Sequence, residues 1–336
     1  MPRLNRTALL DAILNAIYES GYTAVLITSP KRHPAEFTVV GPSGDQFELA
    51  VYAWTLTHGG RPQLPHEYRI QMTSVAPPLK LKRGQLATLV GYEPQRRAFA
   101  GFDLTRHRAF TPGSPSVQVD IRLLDEALKQ GLAFGRKTND EIVIGVRPDH
   151  FIAYALHAYE LHTWGNQAAM FDLLTQAAST RPVSSSDLRS LGQDRRRIIE
   201  TVCRLARLSN FRQTVLEAYE SRCAVTGIQL KLVEAAHILP VGAPGSVDDI
   251  RNGIALSPTY HRAFDRGLIF LDKQFQMRVN EKKIAELKSL GLDGGISTFT
   301  ARLGKIYLPK DRSKWPDPEF IVKANRYRNI ADNVTN

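Results

Sequence analysis

The chain has 336 residues, which is enough for two domains of ordinary size. With 43% hydrophobic and 23% charged residues, its composition is that of a folded globular protein and excludes a disordered chain. No apolar run reaches the ~18 residues of a membrane span, and the N-terminus lacks the residue order of a secretory signal. Two cysteines, Cys203 and Cys223, exclude a disulfide framework, so we expect a cytoplasmic protein without membrane contact.

The net charge of +11 favours a polyanion as the partner. The positive excess is concentrated in two regions. Residues 51–100 contain 7 Lys and Arg against 2 Asp and Glu, and residues 251–336 contain 16 against 9. Such a charge favours nucleic acid only modestly, because ordinary solvated surfaces are also rich in lysine and arginine.

The chain begins with an amphipathic helix in which Leu9, Leu10, Ile13 and Ile17 share one face and Gly21 marks the end. Segments rich in β-branched and aromatic residues then predict strands at 23–29, 36–41, 46–57, 67–72, 86–92, 97–102 and 117–123. A short helix at 123–131 and a strand pair around 132–136 and 141–146 follow. These elements predict an α+β fold, with an N-terminal mixed α/β domain built on a largely antiparallel sheet.

Helices predominate in the middle of the chain. One is predicted to begin at Pro148 and another to cover 167–178. The polar segment 179–187 is typical of a linker, and a basic helical connector follows it. We therefore predict a domain boundary near residue 183, with one domain over 1–183 and a second over 184–336.

From residue 230 the pattern predicts a strand, a loop, a second strand and a helix. The strands are "LKLVEAAHILP" and "NGIAL", and the helix "SPTYHRAFDRG" has Ser257 as N-cap, Pro258 in its first turn and Gly267 at its end. His237 lies at the end of the first strand. His261 lies on the helix four residues before Asp265, so that both side chains share one face and can bind one divalent cation.

The segment "RCAVTG…EAAHILP…DIRNGIALSPTYHRAFDRGLIFLD" resembles the HNH, or ββα-metal, endonuclease family. His237, Asn252 and His261 correspond to the H, N and H of that family, at intervals of 15 and 9 residues. The pieces "AAHI.P", "NGIAL" and "H..FD.G" resemble its bacterial restriction and phage-defence members. The resemblance covers 208–275, about a fifth of the chain, and is specific because several pieces agree in order and spacing.

The resemblance implies a C-terminal ββα-metal fold and a role for each motif residue. His237 is expected to act as general base on a water molecule, His261 to be a metal ligand, and Asn252 to brace the loop through its amide. Water then attacks in line and leaves 5′-phosphate and 3′-hydroxyl ends. Arg262 or Arg266, next to the metal helix, is expected to bind the phosphodiester.

The sequence departs from the family pattern at Ala236, where many members have a metal-ligating Asp or His. The missing ligand is then Asp265, Glu234 or water. A set richer in carboxylates favours Mg²⁺ or Mn²⁺ over Zn²⁺. Alternatively, Asp265 pairs with an arginine at the helix end, and Glu234 orients a histidine or an arginine. Cys223 is not part of a C-x-x-C zinc motif and is expected to be a core residue.

The first domain is expected to supply targeting to double-stranded DNA. The candidate DNA-binding residues there are Arg61, Arg69, Gln71, Lys80, Lys82 and Arg83. The residue pair at 69 and 71 lies at alternate strand positions and can present paired donors to base edges or phosphates. Trp54, Tyr68 and Tyr92 either stack on a base or belong to the core of the sheet.

Two functions remain open at this stage. One is a metal-dependent DNA endonuclease of restriction or phage-defence type, whose first domain reads a sequence or a base modification. The other is a non-catalytic DNA-binding protein with a degenerate HNH fold, for which Ala236 is the supporting feature.

A homodimer is also predicted, because one HNH centre cuts one strand and a second copy would cut the other. The apolar stretch 187–210 is a candidate interface, with Arg195 to Arg197 facing DNA. The alternative is that its leucines pack within the chain.

Overall fold

The structure is a computed structural model that describes residues 4–41, 44–110, 115–179, 181, 183–230 and 232–330. The chain divides into two compact units, Met1–Ala206 and Arg207–Asn336. Within the described ranges, no helix is both long and apolar enough to cross a membrane.

The first unit contains a mixed seven-stranded sheet in the order β1-β2-β3-β6-β7-β10-β9. Its strands are β1 (Thr23–Leu26), β2 (Ala35–Val40), β3 (Gln46–Thr55), β6 (Leu86–Glu93), β7 (Ala98–Phe102), β9 (Leu132–Arg136) and β10 (Ile142–Val146). The β3–β6 pairing is parallel, and the other pairings described are antiparallel. The α+β class and the largely antiparallel sheet are therefore confirmed.

A smaller sheet has the order β4-β5-β8, formed by Thr57–His58, Glu67–Gln71 and Ser116–Asp120. The helices that begin in this unit are α1 (Arg6–Glu19), α2 (Leu104–His107), α3 (Arg122–Gln130), α4 (Phe151–Gly165), α5 (Ala168–Ala178), α6 (Ser185–Ser190) and α7 (Gln193–Ala218). Helix α1 buries the apolar face predicted for it, and Gly21, at φ +83°, follows its end.

Both faces of the large sheet are covered, which explains why its central strands are apolar at successive positions. On β6, Val90 packs into a core that includes α1, α4 and α5, whereas Leu89 packs on the opposite side with the smaller sheet and α3. Residues on alternate sides of one strand thus belong to two separate hydrophobic clusters.

The compact units divide inside α7, C-terminal to the boundary predicted near residue 183. The physical reason is burial. Ile198, Ile199 and Val202 lie in the core of the first unit, so the first half of α7 belongs to that unit. Residues 180 and 182 of the predicted linker lie outside the described residues. The same burial corrects part of the predicted dimer interface over 187–210. Ile198, Ile199 and Val202 are buried within the chain, which is the alternative stated for this stretch, so they are not available to a second copy.

The second unit begins with the other half of α7 and contains the predicted β-loop-β-α arrangement. Strand β11 (Glu234–His237) pairs antiparallel with β12 (Gly253–Leu256), with His237 opposite Gly253. Helix α8 (Pro258–Asp265) follows directly. Strand β11 is shorter than the predicted 230–240, because the backbone N–H of Leu232 bonds to the carbonyl of Gln229 and closes a turn there.

The rest of this unit consists of a small sheet and three helices. A three-stranded sheet consists of β13 (Ile269–Leu271), β14 (Gln276–Val279) and β15 (Gly304–Lys305), and the helices are α9 (Glu281–Ser289), α10 (Ile296–Thr300) and α11 (Pro318–Tyr327). Phe211, Val215 and Tyr219 of α7 lie in the core beneath the β11–β12 pair. Gly253 is required there, because a Cβ atom would lie 2.3 Å from Val215 Cγ2.

Candidate active site

His237 ends β11 and is held on two sides. Its Nε2 atom lies 2.8 Å from Asp248 Oδ1, and its ring stacks on Phe211 with centroids 3.8 Å apart and planes within 10°. A carboxylate only accepts hydrogen bonds, so Nε2 bears the proton of this bond, and in the neutral imidazole Nδ1 then has the lone pair. The imidazole is therefore fixed in plane and in tautomer, with Nδ1 as the basic atom.

Asn252 is fully buried and fixes the loop that connects the two strands. Its Oδ1 accepts the backbone N–H of Leu239 at 2.8 Å, and its Nδ2 donates to the carbonyls of Leu239 (3.2 Å) and Val247 (3.0 Å). The Asn252 carbonyl accepts the N–H of Ile238, next to His237. These bonds hold the loop that contains Asp248, which is the bracing role predicted for the amide.

His261 lies on α8 between two carboxylates. Its Nδ1 is 2.7 Å from Glu234 Oε2, and its Nε2 is 3.3 Å from Asp265 Oδ2. The hydrogen bond with Glu234 raises the pKa of His261 although burial opposes this, and the same bond lowers the pKa of Glu234. The predicted helical spacing of His261 and Asp265 thus brings them together, and the fold adds Glu234 from β11.

This cluster fits a divalent cation bound through Nε2 of His261 and the carboxylate of Asp265. Glu234 then holds the proton of Nδ1 and orients the ring, as carboxylates commonly do behind metal-ligating histidines. Ala236, at the missing ligand position, is fully buried in the core. The described residues contain no group of three or more potential ligands arranged around one ion. Two protein ligands suit Mg²⁺, which keeps several waters and binds substrate phosphate.

The two arginines predicted next to the metal helix line the same groove as the cluster. This groove, of about 1080 Å³, includes Glu234, His261 and Asp265 together with exposed Arg262 and Arg266. Both guanidinium groups are therefore placed beside the metal-binding candidates.

Arg328, just past α11, joins the two halves of the site. Its Nη1 donates to the carbonyl of Ile238 at 2.8 Å, next to His237, and its guanidinium lies 4.6 Å from the ring centroid of Phe264 on α8. Burial lowers the pKa of Arg328, and the charge of Asp265 opposes that shift. Arg328 therefore ties the strand of His237 to the helix of His261.

Residues 223–272, which include this whole constellation except Phe211 and Arg328, match the family model described as HNH endonuclease. The second unit contains an HNH endonuclease domain. Within the HNH domain, the strand, loop and helix follow the order that the motif resemblance implied. The resemblance stated from the sequence is therefore confirmed.

Other comparisons concern the rest of the chain. Residues 47–155 of the first unit match a family model described as methylase-associated X1. A solved structure described as a modification-dependent TagI restriction endonuclease shares 14% identity with this chain, at a TM-score of 0.29, and the match covers 96% of this chain and 90% of that one. This similarity is too low to establish a shared fold or function. No curated protein matches the chain.

The candidate DNA-binding residues of the first unit lie on its surface or on the smaller sheet. Arg69 and Gln71 occupy alternate positions of β5, with buried Ile70 between them. Arg69 faces Gln118 across the β5–β8 pairing, and its Nε atom is buried without a partner. Arg61 is exposed and pairs with Glu67.

The basic loop before β6 is exposed at Lys80, Lys82 and Arg83, and Lys82 pairs with Glu36 at 2.6 Å. These three positions are therefore accessible to a phosphate backbone.

Two of the three aromatic candidates are core residues of the sheet. Trp54 and Tyr92 are buried, and Trp54 Nε1 donates to the carbonyl of Thr73. Tyr68 is half-buried against the same core as Trp54. Trp54 and Tyr92 are therefore inaccessible as a stacking surface without rearrangement of the sheet.

Three site residues escaped the sequence analysis. Asp248 lies 11 residues after His237, and no spacing rule distinguishes it from Asp249. Phe211 lies on a helix 26 residues before the histidine, and Arg328 lies 90 residues after Ile238. Their roles depend on contacts between distant parts of the chain, for which the sequence contains no local signal.

Proposed function

We propose that the protein is a metal-dependent DNA endonuclease of the restriction or phage-defence type. The observation that carries this proposal is the fixed state of His237, whose Nε2 is held by Asp248 while Nδ1 remains an acceptor. An imidazole in this state is ready to take a proton from water. The stacked Phe211 fixes the plane of the ring.

The remaining residues of the HNH domain have complementary roles. His261 and Asp265 hold the cation, Glu234 orients His261, and Arg262 or Arg266 binds the phosphodiester. When bound, Mg²⁺ or Mn²⁺ supplies positive charge that stabilises the phosphate and the leaving oxygen in the transition state. His237 takes the proton of the attacking water, and Asn252 keeps the base and the ligands in register.

The first unit supplies recognition in this proposal. Its exposed basic positions, Lys80, Lys82 and Arg83, contact phosphates, and the paired donors of Arg69 and Gln71 contact base edges or phosphates. Recognition covers a base sequence or a base modification in double-stranded DNA.

Nicking of supercoiled plasmid tests the catalytic proposal. We expect conversion to open-circular DNA with Mg²⁺ or Mn²⁺, none with EDTA, and cut ends bearing 5′-phosphate and 3′-hydroxyl groups. A protein that binds the plasmid but never nicks it with either ion would instead be a non-catalytic DNA-binding protein with a degenerate HNH fold, the alternative favoured by Ala236. Parallel digestion of matched modified and unmodified DNAs separates modification reading from sequence reading.

Concerted cutting of both strands requires two HNH centres, so we also propose a homodimer on DNA. Light scattering of the free and DNA-bound protein tests this. A monomer in both states that still makes concerted double-strand breaks would contradict it.

A further inference from the structure

A cavity of about 280 Å³ lies in the first unit, against β6, β7 and α4. Pockets for drug-sized ligands begin at roughly 300 Å³, so this one suits a single ring system. Its lining includes Thr88, Phe102, Asp103, Tyr154, Tyr159 and Lys82.

Thr88 is the first reason to regard this cavity as a binding site. Its side chain is 1% exposed, and its Oγ1 has no hydrogen-bond partner. A buried hydroxyl without a partner costs about 1–3 kcal/mol. Such a group is expected where a ligand completes its hydrogen bonds.

Asp103 supplies an acceptor on the same wall. It is 5% exposed, and its Oδ1 accepts the Thr105 hydroxyl (2.5 Å) and the backbone N–H groups of Thr105 (2.9 Å) and Arg106 (3.3 Å), which leaves Oδ2 as the oxygen for a ligand. Its Oδ2 lies 3.8 Å from Arg106 Nε, beyond hydrogen-bond distance. A carboxylate has about four acceptor sites, so Asp103 retains capacity for a donor from a ligand.

Aromatic side chains form the flat parts of the wall. Tyr154 is fully buried, and its hydroxyl lies 3.0 Å from His162 Nε2. Gly101 makes room for it, because a Cβ atom there would lie 2.3 Å from the Tyr154 hydroxyl. Phe102 is also buried, whereas Tyr159 is 66% exposed and offers a face for stacking.

We propose that this cavity binds one nucleobase with an exocyclic amino group, which is cytosine, adenine or guanine, extruded from the DNA stack. The amino group donates to Asp103, and Thr88 hydrogen-bonds the neighbouring ring nitrogen. Lys82, an exposed lining residue flanked by Lys80 and Arg83, places positive charge where the phosphates of an extruded nucleotide would lie. This inference rests on the proposal that the first unit reads DNA, and it assigns that reading to a defined site.

The test uses the full chain and DNA duplexes with 2-aminopurine placed beside a single target base. The fluorescence of 2-aminopurine rises when its neighbour leaves the stack. We expect a rise beside at least one of the three bases with an exocyclic amino group, or beside a methylated form of it, and none beside thymine, whose O4 would face the Asp103 carboxylate. An equal response beside all four bases, or no response beside any, would overturn the proposal.

Thr88→Val is the decisive variant, because it keeps the shape of the side chain and removes the unpartnered hydroxyl. We expect a melting temperature equal to or above that of the parent, together with a loss of about 10-fold or more in affinity for the responding duplex, the cost of one hydrogen bond. Thr38→Val, at a half-buried position of β2, is the matched control and should leave the affinity unchanged. Tyr159→Ala should weaken the response, whereas Tyr18→Ala, at another exposed tyrosine, should not.

Two further outcomes are informative. If cytidine, adenosine or guanosine binds in a Thr88-dependent manner while no duplex responds, the site takes free nucleosides, and extrusion from DNA is overturned. Plasmid nicking by the same preparation separates the two proposals. Nicking without any effect of Thr88→Val refutes the cavity site alone, whereas a duplex response without nicking refutes the nuclease proposal and supports the cavity.

Discussion

Both units contain histidines paired with carboxylates, and the surroundings of these pairs differ. In the first unit, His107 Nε2 lies 2.6 Å from Glu141, whose carboxylate also binds Lys137 at 2.9 Å and is 1% exposed. The neighbouring pair of His150 and Asp149 is likewise buried, with the carboxylate 9% exposed.

In the second unit the carboxylates face solvent. Asp248, beside His237, is 29% exposed, and Glu234 and Asp265, beside His261, are 49% and 56% exposed. Lysine and arginine ion pairs neutralise the first-unit carboxylates, whereas the three carboxylates of the second unit pair with His237 and His261.

Under the proposed function, this difference separates the catalytic histidines from the structural ones. A buried histidine–carboxylate pair whose charge is also neutralised by a lysine or an arginine holds the fold together. A pair with exposed acceptors keeps its charge available for water, a cation or a phosphate. The same residue types at similar distances therefore serve different purposes, depending on exposure and on the third partner.

The largest expected effect is on His237→Ala. Loss of a general base should lower the cleavage rate about 10²- to 10⁴-fold, with DNA affinity close to that of the parent, because the base acts on water and not on the bound ground state. Single-turnover cleavage and fluorescence anisotropy measure the two quantities. His107→Ala, which removes a histidine of a buried pair in the first unit, is the control. It should lower the free energy of unfolding without slowing cleavage by the folded enzyme. Equal losses of binding and cleavage in His237→Ala would contradict the comparison.

The buried histidine–carboxylate pairs of the first unit are tested through Glu141, the partner of His107. Burial acts to raise the pKa of this carboxyl, but hydrogen bonds from His107 and Lys137 outweigh it and lower the pKa to about 2, from 4.5 in the unfolded chain. The resulting stability is present above pH 4.5 and is lost as the pH falls towards 2, and it amounts to about 3 kcal/mol. Glu141→Gln should remove this pH-dependent part, measured by urea unfolding from pH 7 downwards. If the free energy of unfolding of Glu141→Gln depends on pH as in the parent, the Glu141 carboxylate does not gain its charge stabilisation from His107 and Lys137.

The exposed histidine–carboxylate pairs of the second unit are tested by cation titrations. Asp265→Asn should raise the Mg²⁺ concentration needed for half-maximal cleavage by about 100-fold, because a ligand is removed, and Glu234→Gln by about 10-fold, because only the orientation of His261 is affected. His261→Ala should resemble Asp265→Asn. If Asp265→Asn responds to Mg²⁺ like the parent, Asp265 is not a ligand, and the reverse order of the two carboxylate variants would make Glu234 the ligand.

The smallest effect is expected from the exposed basic loop. Lys80→Met with Arg83→Met should weaken DNA binding uniformly across sequences and reduce the slope of log Kd against log salt by about 2, because two phosphates are no longer neutralised by the protein. Anisotropy titrations at several salt concentrations give the slope. Lys129→Met, at an exposed position of α3, should leave it unchanged. A loss of affinity confined to one DNA sequence would assign these residues to base reading instead.

The sequence predicted the secondary structure well wherever a local pattern dictates it. The face of α1, the strands of the large sheet and the β-loop-β-α unit follow from side-chain periods of 3.6 and 2 and from residues such as Pro258 and Gly267 at helix ends. The compact units divide C-terminal to the boundary predicted near residue 183, because a polar segment predicts a linker but says nothing about which core a following helix joins. Ile198 and Ile199 decided that by packing into the first unit.

The sequence by itself determined the HNH motif, because His237, Asn252 and His261 are placed by short-range geometry on a strand, a loop and a helix. Only the tertiary structure decided that Asp248 and Phe211 hold His237 and that Arg328 ties its strand to α8. Likewise, the cavity around Thr88 exists only where β6, β7 and α4 meet. Contacts of this kind depend on packing between segments far apart in the chain, and no local residue pattern encodes them.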